Sequence, residues 1–329
     1  YMSVLGAMVG LPRRAATPAS ACWAGWGFLL ATAGAVLVLW RGGVPPVLGA
    51  ALVVAIMLLW LVMSRISAEA GLFLIKPAWL PVGIITALLG FEAVGPVAYI
   101  ALAVLTVVLV GESREAIMPF LTNGLRLADQ AGRGGAARAA PWMAGMVVAS
   151  LLVAGAASLL LQHNIGLNFA DRFATVSQPM RPFHELTAHV TEARAQSVLE
   201  EAVQASGLER LSLIRPDAGA FGWIGLGFAL VLATAAARLR LPWWPLHPVV
   251  FLVWGTMPMF VLSFSLLLGW LLKAALMSAG GARACQAALP IAVGVILADV
   301  LSALGWSVVG AVYYVSTQTS PPQYLIFPG

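Results

Sequence analysis

The amino-acid sequence predicts an all-α fold: a polytopic bundle of transmembrane helices, some broken or re-entrant, with one extramembrane amphipathic helix. Hydrophobic residues make up 61% of the 329 positions and charged residues only 9%, whereas soluble domains carry about 25% charged residues. Apolar runs close to the roughly 20 residues that a helix needs to cross a bilayer follow one another along the chain. We therefore expect eight or nine membrane-embedded segments.

The charge pattern indicates a lipid environment and no nucleic-acid partner. The formal net charge is +5, but the arginines stand in short clusters between apolar runs, as loop charges that set topology do. The two cysteines, Cys22 and Cys285, show no ligand spacing. We expect the lipid bilayer to be the main partner of the chain.

A first transmembrane block is predicted over residues 1–161. Its helices are expected at the apolar runs 20–40, 44–63, 95–110 and 141–161. The region before residue 95 is apolar but short, and its breakers predict a kinked or discontinuous helix; these breakers are Gly71, Pro77, Pro81 and Gly83. The basic stretch 121–140 is predicted to be a cytoplasmic loop.

Residues 162–218 are predicted to form an extracytoplasmic loop, because this stretch is hydrophilic and holds seven of the 13 acidic residues. Within it, residues 184–207 contain no helix breaker. Apolar residues recur there with helical spacing, at Leu186, Val190, Leu199 and Val203. The pattern predicts one amphipathic helix that lies on the transmembrane bundle.

A second transmembrane block is predicted over residues 219–329, with spans at 221–237 and 287–314. Between them lies the apolar stretch Leu241–Gly281, which contains Pro242, Pro245, Pro248 and Pro258. A proline removes a helical hydrogen bond, and hydrocarbon offers no water to replace it. Broken backbone at membrane depth must therefore be buried in protein or line a wet cavity, as it often does in transport pathways.

Arginine and lysine positions predict the orientation. The basic loops all lie in the cytoplasm only if Leu241–Lys273 enters and leaves the membrane on the same face, so this stretch is predicted to be re-entrant. Because successive spans alternate in direction, this arrangement also places the loop 162–218 and the C-terminus outside the cytoplasm. We expect a multi-pass protein of a bacterial inner membrane.

Ionisable residues in apolar runs are candidate pathway residues, because a charge at the bilayer centre costs about 2.5–3.5 kcal/mol. Asp299 lies mid-span and is expected to be a proton, cation or substrate site, or else a structural acid bonded to a neighbouring helix. Glu69 either belongs to the pathway, with Ser67 and Gly71 allowing close backbone approach, or pairs locally with Arg65.

Four further pathway candidates are Asn123, Trp244, His247 and Lys273. Asn123 is expected to line a cytoplasmic vestibule or a solvated helix end, and Lys273 to reach the interface. His247 lacks partners for a metal or haem, so we expect it to support the broken backbone by a hydrogen bond. No catalytic or metal-binding motif is present, so no enzymatic activity, cofactor or metal is expected.

Several motifs in order resemble an uncharacterised bacterial membrane family, the paired DUF6785 and DUF6784 regions. They are RISAEAG at 65–71, MPFLTN at 118–123, ADQAG at 128–132, WWPLHP at 243–248, GWLLK at 269–273 and the glycine pair 280–281. The family is distantly similar to oligopeptide-transporter-like proteins. Its members are about twice as long, so the chain resembles their C-terminal part and is expected to start inside a longer protein.

The sequence departs from this family at two places. Val249-Val250 follow Pro248 where the family has a glycine, and Ala298-Asp299 replace a glycine–glutamate pair in the last span. These departures put the family's solute site in doubt for this chain. The resemblance therefore implies the architecture more directly than the solute.

Two functions from different classes agree with these patterns. The first is a secondary transporter, or half of one, that moves a small solute; the resemblance implies a peptide-like solute. The second is a structural accessory subunit that scaffolds a larger membrane complex, with other membrane subunits or a missing N-terminal half as partners.

Overall fold

The computed structural model describes residue 6 and residues 19–70, 79–111, 116–132, 134–166, 172–241, 243–244 and 246–319. All regular structure in these residues is helical, which confirms the all-α prediction. The helices are α1 (Ala19–Arg41), α2 (Pro46–Ala70), α3 (Pro81–Leu89), α4 (Phe91–Val94), α5 (Pro96–Val110), α6 (Ile117–Ala131), α7 (Gly135–Ile165), α8 (Gln178–Ala195), α9 (Leu199–Gln204), α10 (Ala218–Arg240), α11 (Val249–Val253) and α12 (Met257–Thr317).

Two shorter helical turns lie within the hydrophilic segment, residues 162–218. A π-helical turn, Phe173–Ser177, leads into α8, and a 3₁₀-helix, Gly207–Leu213, precedes α10. The structure consists of two compact units, Tyr1–Trp254 and Gly255–Gly329.

Five helices are long and apolar enough to cross a membrane: α1, α2, α7, α10 and α12. The most apolar window of α7 has none of its residues buried by the protein, whereas that of α2 is 44% buried. Continuous apolar surface of this extent is not stable against water. The chain is therefore a membrane protein. Within the described residues five helices have spanning length, and the total of eight or nine membrane-embedded segments, broken ones included, stays a prediction.

Helix α2 organises the core of the first unit. Buried residues recur along it every three or four positions, at Leu48, Leu52, Ile56, Leu59, Met63 and Ile66. This spacing places them on one face, which packs among α1, α3, α5 and α6. The opposite face carries Val54 and Leu58, which are exposed, so α2 combines a protein-facing side with a lipid-facing one.

The prediction of a loop at 121–140 was wrong. Helix α6 runs to Ala131 and α7 begins at Gly135, so a short turn joins them. Helix α7 thus begins six residues before Pro141, the predicted start of this span. Alanine and arginine are good helix formers, and α6 packs against both α2 and α7. Arg126 and Arg138 therefore lie within helices and not in an irregular loop.

The single amphipathic helix predicted at 184–207 was also wrong in its bounds. Helix α8 begins at Gln178 and ends at Ala195, and α9 starts four residues later. Ser197 takes a left-handed conformation (φ 59°). The N–H groups of Ser197 and Val198 then donate to the carbonyl groups of Arg194 and Ala193. This is a Schellman termination with serine in the usual glycine place.

Helix α12 differs from the prediction as well. Lys273 was expected at a membrane boundary, but the helix continues through it, and Pro258 stands in the first turn rather than mid-segment. A straight helix of 61 residues would extend about 90 Å, three times the hydrocarbon thickness of about 30 Å. Gly281 (φ 63°, ψ −152°) interrupts it and separates residues 257–280 from 282–317.

Leu52 and Leu58 offer a matched test of the two faces of α2. Leu52 is 1% exposed and Leu58 is 57% exposed. We expect Leu52→Ala to lower the free energy of unfolding by about 2 kcal/mol or more, because it leaves a cavity. Leu58→Ala should change it by less than about 0.5 kcal/mol. Thermal unfolding in detergent, followed by tryptophan fluorescence, measures both; equal losses would contradict this assignment of the faces.

Candidate functional site

Helices α3, α4 and α5 form one apolar segment that is broken twice. Gly90 (φ 86°) and Gly95 (φ 76°) stand at the two breaks, in a backbone region that favours glycine. The predicted discontinuous helix is thus confirmed. Of its predicted breakers, Pro81 is the first residue of α3, whereas Gly83 lies inside α3. Gly71 and Pro77 lie outside the described residues. The overlooked signal was the Gly95-Pro96 pair, a strong helix breaker.

Arg210 seals the second break. Its Nη1 donates to the carbonyl oxygens of Val94, at 2.9 Å, and Ala93, at 3.3 Å. The guanidinium group fills the space that a Cβ would occupy at position 95, so only glycine permits this approach. A cation is favourable there because the free carbonyl groups at a helix C-terminus carry partial negative charge.

The chain just after Arg210 seals the first break. The backbone N–H of Arg215 donates to Leu89 O at 3.1 Å, and that of Asp217 donates to Ala87 O at 3.0 Å. The Asp217 carboxylate also caps α10 by accepting from the N–H groups of Gly219 and Ala220. The hydrophilic segment therefore satisfies carbonyl groups at both breaks.

An aromatic cluster joins α8 to the broken segment. The Tyr99 ring, 2% exposed, meets the rings of His189 and Phe91 edge to face, at centroid distances of 5.1 and 5.5 Å. His189 also stacks on Phe91 at 5.3 Å. Leu186 and Val190 pack against the same core. The predicted contact of the amphipathic helix with the bundle is confirmed, and His189 lies inside this contact.

Two predicted pathway residues, Ser67 and Asn123, come together. Asn123 Nδ2 donates to Ser67 Oγ at 2.9 Å, between the last turn of α2 and α6. One turn further, Arg126 Nη1 donates to the carbonyl oxygen of Ala68 at 3.2 Å. Ser67 is buried.

Ser67 lies within α2, which continues to Ala70. The side chain of Glu69, and Gly71 altogether, lie outside the described residues.

The proline-rich stretch before α12 is broken, as predicted, in its first part. Its described residues from 241 to 248 are not helical, α11 is a single short helix, and residues 254–256 are again irregular. His247 Nδ1 accepts from the N–H of Val249 at 3.2 Å, the supporting role expected of it. The return of Leu241–Lys273 to the same membrane face stays a prediction.

Trp244 carries a buried indole N–H that has no acceptor among the described residues. The same is true of Trp60 Nε1 on α2 and of the Thr106 hydroxyl on α5, which is fully buried. A buried polar group without a partner costs about 1–3 kcal/mol, so each such group calls for an explanation. Trp60 and Thr106 sit in continuous apolar runs, and no sequence signal distinguishes them.

Lys273 and Asp299 both lie on α12, in the second unit, and both are exposed there. Their part in a pathway stays a prediction. Among the described residues, no three His, Cys, Asp or Glu side chains come together in a group that could hold a metal ion.

Comparisons with known proteins identify the family. The chain matches the family of unknown function DUF6785 over residues 3–322, and it belongs to that family. No curated protein and no solved structure matches it.

Gly95 and Gly83 provide a matched pair of glycine substitutions in the broken segment. Gly95→Ala should destabilise by at least the roughly 1–3 kcal/mol that backbone at φ 76° and ψ 153° costs a non-glycine residue, because the new Cβ also displaces Arg210. Gly83 is helical and has open space around it, so Gly83→Ala should stabilise by about 0.5–1 kcal/mol. Apparent Tm in detergent tests both; a neutral Gly95→Ala would refute the role assigned to the break.

Arg210 donates to its break through its side chain, whereas Arg215 donates through its backbone N–H. Alanine substitutions distinguish the two contributions. Arg210→Ala should cost about 1–3 kcal/mol, because two carbonyl groups lose their donor. Arg215→Ala should be nearly neutral, since its contact is made by the backbone N–H. Hydrogen exchange should rise in residues 91–95 and 206–213 only for Arg210→Ala. Equal exchange in the two variants would contradict the assignment.

Proposed function

We propose that this member of the DUF6785 family is a secondary-transporter-like membrane protein, or half of one, that moves a small solute along a pathway lined by broken helices. The observation that carries the proposal is the double break at Gly90 and Gly95 in an apolar segment at the core of the first unit. Irregular backbone in a membrane bundle is tolerated where protein shelters it or where it lines a cavity. Transporters place their solute and ion sites at such breaks.

Unpaired and weakly paired polar groups near this core support the same proposal. Trp60 Nε1 and Thr106 Oγ1 are buried and without partners among the described residues. The contact between Ser67 and Asn123 is a neutral hydrogen bond, which contributes only about 0.5–1.5 kcal/mol net. A solute with amide or hydroxyl groups could replace that bond at little cost, which favours a peptide-like or small polar organic solute.

Arg210 defines the closed state in this proposal. While it holds the Ala93 and Val94 carbonyl groups, those oxygens are not available as ligands. Opening of the pathway requires the 3₁₀-helix to move away and a solute group or coupling cation to take over the carbonyl groups. Asp299 and Glu69 are the proposed carriers of the coupling proton or cation, and the protein is proposed to be non-catalytic and to need no cofactor.

A structural accessory subunit is the second candidate. It is favoured by α7, whose spanning window is wholly unburied by the described chain. A helix that contacts α6 but buries none of its spanning window is suited to binding another membrane subunit. Purification in mild detergent with other chains in fixed stoichiometry, together with no solute flux above that of empty liposomes, would favour this role.

Uptake into proteoliposomes tests the pathway. We expect uptake of radiolabelled dipeptides under an imposed pH gradient, and a roughly five- to tenfold loss for Ser67→Ala and Asn123→Ala, which corresponds to about 1–1.4 kcal/mol. Ser64→Ala is the matched control, because Ser64 is buried one turn away and its hydroxyl donates only to Trp60 O in its own helix.

Equal rates of dipeptide uptake for Ser67→Ala, Asn123→Ala and Ser64→Ala would contradict the assignment of Ser67 and Asn123 to the pathway. Asp299→Asn should abolish the dependence on the pH gradient while leaving counterflow intact. Unchanged coupling in that variant would remove Asp299 from the mechanism.

A further inference from the structure

The N-terminal part of the hydrophilic segment carries an exposed apolar stripe. Phe173, Val176, Met180 and Phe183 are 44–48% exposed. The first two lie in the π-helical turn, and the last two, three residues apart, lie on one side of α8. We refer to these four side chains as the apolar stripe.

The apolar stripe is distinct from the face by which α8 packs on the core. That face consists of Pro182, Leu186, Val190 and Ala193, of which Pro182 and Ala193 are fully buried. Helix α8 and the π-helical turn before it thus have two apolar sides, one packed on α5 and one 44–48% exposed.

The side that carries the apolar stripe becomes polar toward the C-terminus of α8. The same helical face continues beyond Phe183 with Thr187 and Thr191, both exposed. Charge changes in the same direction: residues 172–184 contain two arginines and no acid, although Asp171 immediately precedes them, whereas residues 185–201 contain four glutamates and one arginine. One end of the segment is therefore apolar and basic, and the other is polar and acidic.

Chain length brings the basic end close to the membrane. Helix α7, whose spanning window has no buried residue, ends at Ile165. Arg172 follows after six intervening residues, and an extended chain covers at most about 3.3–3.6 Å per residue. The apolar stripe therefore begins within roughly 25 Å of the end of a spanning helix. An exposed apolar face beside arginines is the composition of helices that lie in the headgroup region.

We propose that the apolar stripe inserts into the headgroup region of the bilayer, with Arg172 and Arg181 facing anionic lipid phosphates, while the glutamate-bearing end of the segment stays in water. Repulsion between anionic headgroups and Glu192, Glu200 and Glu201 sets the tilt. Arg181 keeps its bond to Glu185 at 2.9 Å, which marks the point where the charge changes sign. The occupant of the stripe is lipid, and this holds whether or not the protein transports a solute.

Depth-dependent fluorescence quenching tests the proposal on the intact chain. In a Cys22→Ala, Cys285→Ala background, single cysteines carry an environment-sensitive label and replace, one at a time, the exposed residues Val176, Met180, Phe183, Thr187 and Thr191. The vesicles contain phosphatidylcholine and phosphatidylglycerol, with quencher lipids that are brominated or spin-labelled near the headgroup.

Two reserve positions keep the test independent of any one variant's folding. Phe173 is the reserve position within the apolar stripe, and Ala188, which is also exposed, is the reserve position at the polar end. Each replaces a variant of its own group whose gel-filtration profile or apparent Tm departs from that of the parent.

We expect lipid quenching at positions 176, 180 and 183 to be at least about threefold stronger than at Thr191, with Thr187 between them. Equal, weak quenching with water-like emission at all five positions would overturn the proposal. Blue-shifted emission at 176, 180 and 183 without lipid quenching would also overturn it, because the stripe would then be covered by protein.

Discussion

The backbone carbonyl groups at the two breaks of α3–α4–α5 constrain much of the first unit. An apolar segment interrupted at Gly90 and Gly95 leaves helix ends whose carbonyl groups need hydrogen-bond donors. The donors come from Arg210 and from the backbone of Arg215 and Asp217. A hydrophilic stretch far along the chain is thereby tied to the apolar core.

This constraint changes how the hydrophilic segment is understood. By composition, residues 162–218 are an independent loop between two membrane blocks. In the structure, α8 packs on α5 through Leu186, Val190 and the ring of His189, and the 3₁₀-helix positions Arg210. The segment is thus a structural part of the first block. Any motion that opens the breaks must also move it, because its donors and the carbonyl groups separate together.

The distribution of buried surface has a second consequence. Only α2 buries a large share of its spanning window, while α1, α7, α10 and α12 leave nearly all of theirs exposed. Side chains that face lipid lose little by remaining outside the core, since lipid tails are as apolar as leucine. Stability therefore depends on the few elements around α2 and the broken segment. The remaining spans are available for lipid or for other subunits, which is why both a transporter and an accessory subunit fit this architecture.

The sequence by itself determined the membrane class, the helical fold, the spans at α1, α2, α7 and α10, and the discontinuity of the region before residue 95. Each of these depends on local composition, because a bilayer imposes length and apolarity on every spanning helix. The contact between Ser67 and Asn123, the Arg210 seal and the packing of His189 on Tyr99 were decided only by tertiary structure. Arg210 lies 115 residues after Gly95 in the sequence, and no periodicity or composition links a donor to a carbonyl group at that separation.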